Sequence, residues 1–65
     1  MSEGSFSGVR HIVWREDPEG RGIATFEYPE GVSEDRELSS LETRMVAEDL
    51  GLVEVGELHE WAHIA

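Results

Sequence analysis

Residues 10–28 constrain this chain more than any other stretch. They read RHIVWREDPEGRGIATFEY, two short apolar runs joined by Asp17-Pro18-Glu19-Gly20. Pro18 pre-sets φ at the first turn position. The Asp17 side chain can accept from backbone N–H groups just ahead of it, and Gly20 can take the left-handed conformation that closes a three-residue hairpin loop. With Pro18, Glu19 and Gly20 as the loop, Asp17 faces Arg21. The register then follows: Arg15 opposite Ile23, Trp14 opposite Ala24, Val13 opposite Thr25, Ile12 opposite Phe26 and His11 opposite Glu27. Because side chains alternate along a strand, Ile12, Trp14, Ala24, Phe26 and Tyr28 share one face. That face is apolar enough to be a core wall. The other, with His11, Val13, Arg15, Ile23, Thr25 and Glu27, is mixed. A two-stranded hairpin is marginal in water, so the rest of the chain must cover it.

The cover is a helix. Ser39-Ser40-Leu41-Glu42 is a capping box, in which the Ser39 hydroxyl accepts from the Glu42 N–H and the Glu42 carboxylate accepts from the Ser39 N–H. The helix is expected from about Ser40 to Leu50. Gly51 follows where a left-handed residue is wanted, and Leu52 stands behind it as the hydrophobic partner. At the helical period Val46, Ala47 and Leu50 lie on one side, and one apolar stripe of the helix can face the hairpin. Leu41 and Met45 lie on another, with Glu42 and Asp49 between the two stripes. This second stripe needs a cover of its own, either a later strand, the connector, or a partner.

The remaining segments are less marked. Residues 1–7 are small and polar apart from Phe6 and read as a loose arm. Pro29 should end the second strand, since it cannot donate to a ladder. Residues 32–38 are a connector carrying Glu34-Asp35-Arg36-Glu37, expected to form a helical turn capped by Ser33. Residues 52–65, LVEVGELHEWAHIA, are strand-like with a bend or bulge at Gly56. As a strand, Leu58, Glu60, Ala62 and Ile64 alternate with Glu57, His59, Trp61 and His63. As a helix, Leu58, Trp61, Ala62 and Ala65 share a side. Two β-compatible halves, a glycine between them and no N-cap after Gly56 favour the strand. The expected fold is one α+β domain over residues 1–65. It has the order ββαβ: a small antiparallel sheet made of the hairpin and a C-terminal strand, with one helix on one face.

Sixty-five residues bury only a small core, and with no cysteine there is no disulfide or thiolate metal site to help. The first residues lack the basic and apolar regions of a secretory leader, so a cytoplasmic location is expected. No apolar run approaches the ~20 residues that span a bilayer. The net charge of −10 disfavours bare nucleic acid and anionic lipid; it serves solubility or life in high salt, or else suits a partner with a basic surface. The acids are unevenly placed: residues 27–60 hold eleven acids and two arginines, residues 1–26 four acids and three arginines. Arginine without lysine points to a GC-rich source, such as an actinobacterium, its phage or a halophile.

One chemical motif stands out. His59-Glu60-Trp61-Ala62-His63 matches H-E-x-x-H, and over these five residues the chain resembles the zinc metallopeptidases. The resemblance implies His59 and His63 as ligands on one helix face and Glu60 as general base. A third ligand is expected upstream, from His11 or a carboxylate. If the segment is a strand, the two histidines stand about 13 Å apart and cannot share a metal. In size and charge the chain also resembles small acidic phage proteins that block DNA-binding enzymes, which implies carboxylates imitating duplex phosphates. Gly20-Arg21-Gly22 is a turn between strands, not a phosphate loop. His11 opposite Glu27 reads as a cross-strand pair.

The favoured expectation is a non-catalytic protein-binding module, an adaptor or inhibitor, with no catalytic residue and no cofactor. Its contact residues are Leu41, Met45, Glu42, Glu48 and Asp49. The partner is another protein, with a second copy of the chain as the other occupant. A zinc-binding domain and a DNA mimic are the alternatives.

Overall fold

The computed structural model describes residues 8–56 and 59–63. The arm expected over residues 1–7 lies outside them. The described chain forms β1 (His11–Glu16), β2 (Gly22–Glu27), β3 (Ser33–Glu37), α1 (Ser40–Asp49), β4 (Val53–Glu54) and β5 (Glu60–Ala62). The strands make one antiparallel sheet in the order β3-β2-β1-β5-β4. The α+β class, with a small antiparallel sheet and a single helix, is as the sequence predicts.

The hairpin keeps the register derived from its turn, from His11 opposite Glu27 to Arg15 opposite Ile23. The reason is local. Gly20 has φ 87°, its N–H donates to the Asp17 carbonyl at 2.9 Å, and the Asp17 N–H donates to the Arg21 carbonyl at 2.8 Å. The Asp17 carboxylate accepts from the Glu19 and Arg21 N–H groups. The predicted wall is the core: Ile12, Ala24 and Phe26 are fully buried, with Val9, Ala47, Leu52 and Trp61 beside them. Trp14, Tyr28, Leu38, Val46 and Leu50 pack around this cluster. Burying side chains of this size stabilises by about 1.5–3 kcal/mol each.

Both ends of α1 form as its sequence dictates. The Glu42 N–H donates to Ser39 Oγ at 3.1 Å and the Ser39 N–H donates to Glu42 Oε1 at 2.9 Å. At the other end Gly51 is left-handed at φ 81°. The Leu52 N–H donates to the Ala47 carbonyl and the Gly51 N–H to that of Glu48, so buried Leu52 seals the turn. Thr43, fully buried under the helix, satisfies its hydroxyl by donating to the Ser39 carbonyl at 2.8 Å.

Two segments add strands beyond the expected hairpin and C-terminal strand. The connector is strand β3, not a helical turn capped by Ser33. Pro29-Glu30-Gly31 is a tight reversal with Glu30 and Gly31 both at positive φ, closed by the Tyr28 N–H donating to the Val32 carbonyl at 2.7 Å. The reversal returns the chain along β2, whose free edge decides the conformation of residues 33–37. Asp35 then reaches across strands, accepting from Thr25 Oγ1 on β2 and meeting Arg15 on β1 at 3.5 Å, while Arg36 meets Glu34 within β3 at 3.2 Å. Likewise the C-terminal segment gives two short strands, Val53–Glu54 and Glu60–Ala62, rather than one long bent one. Gly56, at φ 74°, belongs to the reversal between them, where the Val55 N–H donates to the Glu60 carbonyl. β5 thereby slots between β1 and β4, with Trp61 opposite Ile12.

Candidate functional site

The helix presents Leu41 and Met45 outward, each 60% exposed, one helical turn apart. Neither β3 nor the C-terminal strands cover them. The opposite stripe of α1, with Ala47 buried and Val46 and Leu50 against the core, holds the helix to the sheet. The polar neighbours differ in role. The Glu42 carboxylate is taken up by the capping box. Glu48 and Asp49 are exposed in the last turn, which contains no basic residue. Two acids there face the negative end of the helix dipole, a placement that costs roughly 0.3–1 kcal/mol per charge.

Leu41 also borders a half-open cleft of about 170 Å³ between the first turns of α1 and the C-terminal strands, lined by Ser40, Leu41, Arg44, Glu54, His59 and Trp61. Its floor is aromatic. His59 meets Trp14 edge-on at 5.0 Å and stacks toward Trp61 at 6.4 Å. Among the described residues no carboxylate lies within ion-pair distance of Arg44. Arg44, Glu54 and Trp61 come together only because β4 and β5 fold back beside the helix, so no local pattern announces the cleft.

The opposite face of the sheet carries a polar bridge. His11 Nδ1 lies 3.2 Å from Glu27 on β2, and its Nε2 contacts the Glu60 carboxylate on β5. One imidazole thus ties three strands. Burial works to lower the His11 pKa, but hydrogen bonds to Glu60 and Glu27 and the charges of both carboxylates outweigh it and hold the pKa above its ordinary value. The Glu27 contact follows from the hairpin register. The Glu60 contact needs β5 beside β1, which sequence spacing does not reveal.

This arrangement does not form the geometry that the H-E-x-x-H pattern requires. Glu60, Trp61 and Ala62 are strand, and Trp61 points into the core. Two strand repeats separate His59 from His63, about 13 Å, and the imidazoles cannot converge as they do on a helix. His59 lines the helix-side cleft, while His11 occupies the other face between two carboxylates. Because those carboxylates meet opposite nitrogens of one ring, they share no common point for an ion. Among the described residues no group of three or more His, Asp or Glu side chains gathers as a metal site.

What the fold and surface define is a small α+β domain with one covered sheet face and an apolar ridge left open on its helix. Among the described residues no helix is long and apolar enough to cross a membrane. Compared with known proteins, the chain matches no family model, no curated protein and no solved structure.

Proposed function

We propose that this chain is a non-catalytic protein-binding module, an adaptor or inhibitor, which meets another protein through the outer face of α1. Leu41 and Met45 are the apolar anchors, and Glu48 and Asp49 select a partner with a basic rim. Glu42 contributes mainly by holding the helix end that presents Leu41. The observation that carries this reading is the uncovered Leu41–Met45 ridge on a helix whose ends are both capped. A large apolar pair on a rigid helix, with two acids in its last turn, is a suitable hot spot. The two acids at the helix C-terminus support it further, since they oppose local stability and gain a use only against an external cation.

A second copy is the less favoured occupant. Each copy carries a net charge of −10.

The test compares immobilised wild type with a Leu41→Ser/Met45→Ser variant in source-cell extract, after checking that both unfold at the same temperature. A protein retained by wild type and lost from the variant, with direct binding then shown between purified components, is the expected result. Identical retention by both chains would remove this surface from consideration.

A further inference from the structure

We propose that the free edge of β3 takes up an extended, lysine- or arginine-bearing segment of another protein as a sixth, antiparallel strand. This surface is separate from the α1 ridge and does not depend on it.

β3 ends the sheet on one side. Its hydrogen-bonding phase is set at both ends: the Tyr28 N–H donates to the Val32 carbonyl at 2.7 Å, and the Leu38 N–H donates to the Gly22 carbonyl at 3.1 Å. The even-numbered residues of β3 therefore bond to β2. The N–H and C=O groups of Ser33, Asp35 and Glu37 point away from the sheet, three donors and three acceptors in a row. Sheet edges are usually blunted by shortness, proline, bulges or lysine. The β4 edge is two residues long, but β3 has five, with no proline or lysine among them. What guards it is acid.

That guard decides the occupant. Antiparallel pairing of two copies about Asp35 sets Asp35 against Asp35, and like charges directly opposite each other destabilise a ladder. The net charge of −10 per copy adds to the repulsion. A nucleic acid is rejected on the same ground. A basic strand is attracted, because its residues opposite Asp35 and Glu37 lie on the same face as those carboxylates. Among the described residues Glu37 has no ion-pair partner, so one charge stands ready. At the start of β3 a cleft of about 210 Å³, lined by Glu27, Tyr28, Gly31, Val32 and Ser33, lies beside the edge, with Val32 56% exposed. It offers a seat for one side chain of the added strand, as pockets beside an augmented edge generally do.

The test uses the full chain, ¹⁵N-labelled, and an acetylated, amidated peptide of alternating Lys and Val, about seven residues long so that it spans β3. Amide shifts and slowed hydrogen exchange at Ser33, Asp35 and Glu37 are expected. N-methylation of the lysine amides should weaken binding about tenfold or more, whereas N-methylation of the valine amides should not, because only the lysine set faces β3. Glu37→Lys should weaken binding of the unmodified peptide, and a Glu-Val peptide should not bind. The methylated peptides leave the protein untouched, so the result does not depend on a variant folding. The proposal is overturned by absence of binding, by shifts confined to residues 41–49, or by equal binding of both methylated peptides, which would indicate charge adsorption alone.

Discussion

Gly22 provides the sharpest test of how the sheet is assembled. It opens β2 beneath the Trp14 indole, whose N–H donates to the Leu38 carbonyl at 2.8 Å. A Cβ built on Gly22 would stand 2.6 Å from Trp14 Nε1, 2.9 Å from Trp14 Cζ2 and closer still to the Leu38 carbonyl oxygen. That last atom is backbone and cannot swing aside. Gly22→Ala must therefore push Leu38 away from β2, displace the indole, or both. Overpacking of this kind costs about 1–3 kcal/mol. Loss of the half-buried indole hydrogen bond adds about 1 kcal/mol. The total, about 2–4 kcal/mol, is a large share of the roughly 3–10 kcal/mol that stabilises a chain of this length. The sign is diagnostic. In a strand with open space above it, alanine in place of glycine should stabilise by about 0.5–1 kcal/mol. Urea unfolding followed by tryptophan fluorescence reads the difference, and with a slope near 1 kcal/mol/M the midpoint should fall by roughly 2 M or more. A variant as stable as wild type, or one that keeps the Trp14 indole proton shift unchanged, would refute the close approach of Trp14, Gly22 and Leu38.

Other expectations follow from the same contacts. His11 has a folded pKa above 6.5, so the stability its bridge supplies is fully present below about pH 6.5 and is lost as pH rises through the folded value. The stability difference between wild type and His11→Gln should accordingly be of the order of 1 kcal/mol at pH 6 and shrink by pH 9 in urea titrations; a constant difference would count against the bridge. Ser39→Ala should cost about 1 kcal/mol through the lost cap, and a neutral result in the same assay would contradict the capping box. Glu48→Lys with Asp49→Lys should raise the unfolding temperature of the free domain while weakening any partner that binds α1, and no gain in stability would show that the helix dipole is not the reason these acids are costly. The Asp17 carboxyl is held below its ordinary pKa chiefly by the Arg21 backbone N–H, so its contribution is present above pH 3.8 and lost as pH falls through the folded value. Asp17→Asn should flatten that acid limb of the stability profile, and an unchanged limb would argue against the turn geometry.

The sequence by itself determined the features whose causes lie within a few residues. The turn chemistry of Asp17, Pro18 and Gly20 is local, and it sets the hairpin register and with it the inward set Ile12, Ala24 and Phe26. The Ser39–Glu42 box and Gly51 are local too, so both helix ends and the division of α1 into two apolar stripes were legible, whereas the exposure of Leu41 and Met45 was decided by where the strands went. Tertiary structure alone decided what depends on a neighbour's free edge. Residues 33–37 have no apolar alternation to mark them as a strand, and they become one because β2 offers unpaired donors and acceptors. β5 finds its place beside β1 because Trp61 must be buried against Ile12. The Arg44 cleft, the Glu60 arm of the His11 bridge and the crowding at Gly22 all arise from those long-range pairings. Their parts lie too far apart in the chain for any spacing rule to join them.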